Sequence, residues 1–443
     1  MAAVWSALTA SELGREIGAG RISPVELTEY FLDAIAAHPQ GSRIYARMTP
    51  RRARSMAMAA HGRAKAGLRI GLLDGVPLSW KDLFDTAGAV TEAGSAHLKG
   101  RVPEADAVVL ANATEGGSIC LGKTHMTELA FSGLGLNPVT ATPPCINDDR
   151  AVPGGSSSGA AASVAFGLAP AAVGSDTGGS VRLPAAWNDL VGLKTTAGRL
   201  SLQGVVPLCP RFDTVGPLAK SVEDCAQILA LLEGGRPADL TGAGIAGARL
   251  AVLDSVALDG VRERPALGFE GAVDRLAVAG ATVTHLKAPE IAEAMALAGI
   301  LFTAEAWATW GETIESAPEK MFPPVLNRFR AGAQVGAADW IRAWGRLEAL
   351  RRTWAARVAG FDAVLLPTSP ILPPDRERLL TDPEFFTAEN LLALRNTRIG
   401  NLMGGCVLTL PTGQPSCGLS LMAGPREEER LLRLGAAAAR ALG

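Results

Sequence analysis

Between about Pro153 and Pro217 the chain is dense in glycine, serine and other small residues, with short apolar stretches such as Ala171–Val173 between turns. Residues without bulky side chains let backbones approach closely and leave peptide N–H groups free to point at a ligand. A flexible linker has a similar Gly-Ser content, but the apolar flanks AAASVAF and APAAV argue for burial on both sides of the segment. The middle of the chain is therefore predicted to be a packed, loop-rich centre that the other elements enclose.

Those elements alternate between strand and helix. Thr9 with Glu12, and Ser23 with Glu26, have capping-box spacing, and Pro24 sits at a first helical position. A strand-like RIYARM precedes a basic helix across Arg51–Arg63, and VPLSW is a short strand ending at Lys81-Asp82. ADAVVLANATEGGSICLGKTH reads as helix, Gly turn, strand and polar exit, and Ser221–Leu232 is an amphipathic helix with Asp224 completing another box. Beyond Gly234, RLAVLD and ATVTHL alternate with helices near 266–279, 288–311 and 336–358; FDAVLLPT and CVLTLPT follow, with a last helix after Pro425. This order predicts an α/β fold with a mixed or parallel sheet. The 443 residues would suit about three units by length alone, but no repeat or low-complexity linker divides them. One domain over 1–443 is expected, with a helical subdomain over about 235–350.

Charge narrows the function. Forty-two Lys+Arg face 44 Asp+Glu, a formal net charge of −2, which lacks the basic footprint of a nucleic-acid binder. No basic tail reaches for a membrane, and the longest low-polarity run, Gly159–Gly174, is too short to span one. The start MAAVWSALTASELGRE has no positive n-region, so no signal peptide is expected. Cys120, Cys145, Cys209, Cys225, Cys406 and Cys417 form no CxxC pair and read as buried free thiols in a reducing compartment, the cytoplasm.

Two short motifs invite chemistry and fit their surroundings poorly. Gly117–Thr124 matches the phosphate-cradling GxxxxGK[ST], but its four intervening residues are themselves the apolar strand and cannot also wrap a phosphate. Gly155–Gly159 matches the nucleophile elbow GxSxG, yet Pro153-Gly154 replaces the required strand and His285 is the only histidine downstream. The histidines His38, His61, His97, His125 and His285 show no HxxxH or HExxH spacing for zinc.

A third constellation has three parts that fit one another: Trp80-Lys81-Asp82, PGGSSSGAAASVAFG at 153–167, and GSDTGGSVRLPAAW at 174–187. Here the chain resembles the amidase signature family, which is read by a Lys-Asp pair, a Gly-Gly-Ser-Ser run and a Gly-Gly-Ser-[IV]-Arg-x-Pro run. Ser156 and Ser180 lie 24 positions apart, the spacing of the family's two catalytic serines. LDGVPLSWKD, GKTHMTELAFSG, VGLKTTAGRLS, FDTVGPLAKSVEDCA and DAVLLPT extend the likeness, which is dense over about 70–230. The resemblance implies a large central mixed, mostly parallel β-sheet covered by helices on both faces.

It also implies an amidase working on a small organic amide, without cofactor or metal. Ser180 is then the nucleophile, Ser156 the proton relay behind a cis Gly155–Ser156 bond, and Lys81 the base. Thr177, Gly178, Gly179 and Ser180 would supply oxyanion N–H groups, and Ser157, Ser175, Asp176 and Arg182 would support the site. Lys81 must be neutral, which requires burial among hydroxyls to bring its pKa from ~10.4 to about 7. The residue five beyond the family's Asn, replaced here by His125, lines the pocket and is Ala130. The family's late Gly-Leu-Pro, bordering the substrate, becomes Gly418-Leu419-Ser420. An alternative within the same signature is the glutaminase subunit of the tRNA-dependent amidotransferase, which works with a partner chain. A nucleotide-binding module on Gly117–Thr124 and a catalytically dead scaffold are the remaining readings. A homodimer is compatible with the sequence, which names neither the amide nor the oligomeric state.

Overall fold

The local signals set the first helices. In the computed structural model, which describes residues 5–443, Thr9 and Glu12 form both hydrogen bonds of a capping box on the helix Ala10–Gly18. The other two boxes form only half. Ser23 caps Pro24–Ala37 through the N–H of Val25. Ser221 accepts from Asp224 N–H, while the Asp224 carboxylate turns away to accept the N–H of Ser11 at 2.7 Å, pinning the N-terminal helix to Val222–Glu233.

Eleven strands form one sheet: β1 (Tyr45–Met48), β2 (Pro77–Lys81), β3 (Ile119–Thr124), β4 (Ala171–Ser175), β5 (Val191–Lys194), β6 (Val215–Ala219), β7 (Arg249–Leu253), β8 (Thr282–Leu286), β9 (Ala363–Pro367), β10 (Cys406–Pro411) and β11 (Gly418–Ala423). Their order is β1-β3-β2-β4-β6-β5-β10-β11-β9-β7-β8. The sheet is mixed, as expected, but it is not mostly parallel: β3-β2-β4 and β9-β7-β8 are parallel flanks, while β1-β3 and every pairing from β4 through β6, β5, β10 and β11 to β9 are antiparallel. Strands β2 to β6 are buried along their whole length, which is why they read as apolar runs without alternation. The stretch 235–350 contributes β7 and β8 to the same sheet besides its helices.

The helix Pro289–Glu315 is longer than its sequence pattern suggested. It is the one described helix long and apolar enough by composition to cross a membrane. Its Leu301, Phe302, Ala306 and Trp310 are buried within the main apolar core. Strand β3 occupies the residues of the phosphate-loop motif, and Lys123 Nζ donates to Thr91 Oγ1 at 2.7 Å, 3.2 Å from Asp82 Oδ1.

Candidate active site

The end of β2 carries Lys81 into the interior, where its side chain is fully buried. Its Nζ donates to Ser156 Oγ at 2.7 Å and to Ser175 Oγ at 2.8 Å. Burial drives the amine down to about 7 against the opposing charges of Asp176 and Asp213. Asp82, next in sequence, faces Lys123 and Arg47 instead, so no carboxylate holds Lys81 protonated by direct contact. The strand geometry thus turns the two neighbouring side chains to opposite faces, away from an ion pair with each other.

Ser156 follows a cis Gly155–Ser156 peptide bond. Its carbonyl accepts from Thr127 N–H at 3.1 Å, and the adjoining Ser157 N–H donates to the carbonyl of Ser180 at 3.2 Å. These backbone bonds bring the two serine segments together at the C-terminal end of β4. Ser157 Oγ donates to the carbonyl of Ser175, so it braces the loop and is not displayed as a nucleophile. Ser180, in contrast, lines a small cavity together with Ala130, Phe131, Thr177, Gly178, Leu208, Phe302, Arg328 and Arg398.

The loop 176–182 is wound around one carboxylate. Asp176 Oδ1 accepts from Gly179 N–H, Arg182 Nη2 and Asn401 Nδ2 at 2.9, 2.9 and 3.0 Å. Its Oδ2 accepts from Val181 N–H at 3.1 Å and Arg182 Nε at 3.0 Å. Burial alone would raise this carboxyl, but the Arg182 guanidinium and the converging donors hold it well below the usual range. The arrangement revises one expectation. Gly179 N–H is engaged by Asp176, whereas the N–H groups of Thr177, Gly178 and Ser180 have no protein acceptor among the described residues. Gly179 has φ +137°, and a Cβ there would lie 2.1 Å from Thr397 Oγ1, so glycine is required for the loop to close against the helix Arg395–Leu402.

Removing this carboxylate should be costly. Asp176→Asn leaves Arg182 buried without its counter-ion, and truncating one partner of such a pair typically costs about 3–5 kcal/mol. Chemical denaturation of the variant is expected to show a loss of that size together with lost activity. Unchanged stability would remove Asp176 from the architecture of the loop.

Several site residues escaped the sequence reading. Asp213 accepts from Thr177 Oγ1 at 2.5 Å and from the N–H groups of Leu208 and Cys209, and it lay unremarked within the FDTVGPL match. Glu128 accepts from Ser95 Oγ at 3.0 Å and Phe322 N–H at 3.1 Å, and burial raises its carboxyl to about 7. It ties the turn bearing Ala130 (φ 60°) to the start of the helix Pro323–Arg330. Arg328 and Arg398 had no sequence signal that set them apart from other arginines. One expectation fails: Gly418-Leu419-Ser420 does not border the cavity, because these residues begin β11 and Ser420 Oγ shares hydrogen bonds with Thr368 and Thr409. His285 lies on the edge strand β8 beside Asp254 at 2.6 Å, which leaves a nucleophile elbow at Ser157 without this histidine.

Comparison with known proteins shows which family the chain is similar to. Residues 26–432 match the family described as Amidase. The chain is 37% identical to a 2-amino-5-chloromuconic acid deaminase from Comamonas testosteroni, over 96% of this chain and 95% of the relative. It is 31% identical to a glutamyl-tRNA(Gln) amidotransferase subunit from Chloroflexus aggregans, covering 97% of this chain and 95% of the relative. Among solved structures, the peptide amidase of Stenotrophomonas maltophilia superposes with a TM-score of 0.81 at 26% identity, over 98% of this chain and 97% of that one.

Proposed function

Because the chain belongs to the amidase signature family of hydrolases acting on carbon–nitrogen bonds, we propose that it hydrolyses a small organic amide through an acyl-enzyme on Ser180. The observation that carries this reading is the buried amine of Lys81, brought near 7 and bonded to Ser156 and Ser175 hydroxyls. In the first half-reaction Ser180 Oγ attacks the amide carbon while its proton passes through Ser156 to Lys81. The N–H groups of Thr177, Gly178 and Ser180 receive the oxyanion, and removal of a single donor of this kind typically costs ~10²–10³ in rate. The proton returns through Ser156 to the leaving nitrogen, and ammonia or an amine departs. Water then attacks the acyl-enzyme with the same base, and the carboxylic acid is released. No metal or cofactor takes part in this cycle, which runs in the cytoplasm with the six cysteines as free thiols.

The Comamonas relative is named as a deaminase, so ammonia is the product to follow. Incubation with a series of primary amides is expected to release ammonia and the matching acid in equal amounts, with the rate unchanged by a chelator. Release from none of them, with the protein folded, would contradict the proposal. The likeness to the amidotransferase subunit supports a second reading, a glutaminase that feeds a partner chain. It predicts ammonia from glutamine that rises when the partner is added. Free glutamine carries an ammonium group, and no Asp or Glu lines the cavities at Ser180, which favours the free-standing amidase.

A further inference from the structure

The small cavity over Ser180 continues into a larger one of about 400 Å³, enclosed by the helices Pro289–Glu315, Pro323–Arg330, Pro383–Ala393 and Arg395–Leu402. Phe302, Arg328 and Arg398 line both, so they stand at the junction. Arg182 and Arg199, also withdrawn from water, have acidic partners: Arg182 has Asp176, and Arg199 has Glu233, Glu428 and Glu429; Arg351 and Arg395 donate to backbone carbonyls. The two at the junction have no acidic partner among the described residues. Arg328 donates one hydrogen bond, from Nη1 to the carbonyl of Phe131 at 3.1 Å, and lies 4.3 Å over that ring's centroid. Arg398 is 8% exposed, makes no side-chain hydrogen bond, and its Nη2 is buried without a partner.

Two like charges beside each other in a partly dry cavity repel, and an unpaired buried charge is costly. Burial and the charge of Arg328 pull the Arg398 guanidinium down to about 9. An orphaned buried donor of this kind calls for a partner that arrives from outside. The partner must be an anion, because ten N–H donors and two positive charges meet no acidic side chain there. It must also lie near the reacting carbon, because Ser180, Arg328 and Arg398 line the same small cavity.

We propose that Arg328 and Arg398 together bind a carboxylate on the acyl chain of the substrate, so that the enzyme acts on amides of dicarboxylic acids that keep one free acid group. This rests on the reading of Ser180 as the acylated residue, and it adds the chemical class of the acyl group. A planar carboxylate accepts two parallel N–H bonds from each fork, which fixes the chain's direction as well as its charge. A neutral acyl chain of the same length would leave both guanidiniums unpaired. A cationic one would be repelled.

Glutaramate, the monoamide of glutaric acid, and glutaramide, its neutral diamide, differ only at the far end. The unmodified enzyme is expected to hydrolyse glutaramate with a kcat/KM at least about a hundredfold higher, since each lost charge-assisted bond is worth roughly tenfold or more. Arg398→Met and Arg328→Met should remove that preference mainly through KM, lowering the glutaramate rate toward the glutaramide rate, with Arg398→Lys restoring part of it. Calorimetry with glutarate on the Ser180→Ala protein separates the two readings. Binding there that Arg398→Met abolishes supports the carboxylate site even if no amide is turned over. Equal kcat/KM for the two amides in the unmodified enzyme, or glutarate binding unaffected by both arginine variants, would overturn it.

Discussion

Replacing Ser180 by alanine is expected to abolish amide turnover, by about 10⁴-fold or more, while leaving the fold intact. Loss of a nucleophile that acts as one unit with its base usually costs that much, and what remains reflects binding and the oxyanion donors. The exchange removes a single oxygen that makes no hydrogen bond within the described residues. Denaturation curves should therefore superpose on those of the parent to within about 1 kcal/mol, in line with a substitution that leaves no cavity and no orphaned partner. Ser157→Ala tests the rival serine. It removes the donor to the Ser175 carbonyl and the acceptor for Ser175 N–H, so a partial loss through displacement of Ser175 is expected. A Ser157→Ala protein as inactive as Ser180→Ala would reopen the nucleophile-elbow reading.

Lys81→Met is expected to lower kcat/KM by about 10³-fold, because no other amine reaches Ser156 and an unassisted hydroxyl is a weak nucleophile at neutral pH. In the parent, only the neutral amine accepts a proton, so kcat/KM should rise with pH through about 7 and level above it. Glu128 is brought to about 7 as well, and Glu128→Gln distinguishes the two: it should keep the limb that Lys81→Met abolishes. The same shift carries a stability signature. Lysine in the unfolded chain holds its proton up to ~10.4, whereas buried Lys81 releases it near 7. Between those values the unfolded state binds the extra proton, so this group makes the folded state more stable as pH rises, by roughly 1.4 kcal/mol per unit. Lys81→Met lacks the titration and should show a flatter stability profile over that range. A parent whose activity and stability are flat from pH 6 to 10 would mean that Lys81 is not the base.

Much of the site was legible because its chemistry is local in sequence. Lys81 ends β2, the Ser156 and Ser180 runs lie on either side of β4, and the glycines in those runs have few other uses. The packing that completes the site is another matter. Arg328 and Arg398 come from helices far along the chain, and nothing in NRFR or NTRIG tells a buried, unpaired guanidinium from one in water. Whether a charged side chain has a partner is a property of the fold. The same limit explains Asp224, whose spacing promised a local box but whose carboxylate found the N–H of Ser11 instead. It also explains Gly418-Leu419-Ser420, where likeness to a substrate loop yielded to strand pairing in β11. The sheet was foreseen as mixed, but its antiparallel centre depends on which strands meet, and single-strand patterns do not encode neighbours.

Treatment with a fluorophosphonate, followed by peptide mass mapping, reads out the reactive serine itself. The probe phosphonylates an activated serine and needs no knowledge of the substrate. One adduct is expected, on Ser180, absent in Ser180→Ala and slowed in parallel with turnover in Lys81→Met. An adduct on Ser157, or an enzyme that releases ammonia from amides and yet carries no adduct at Ser180, would contradict Ser180 as the nucleophile.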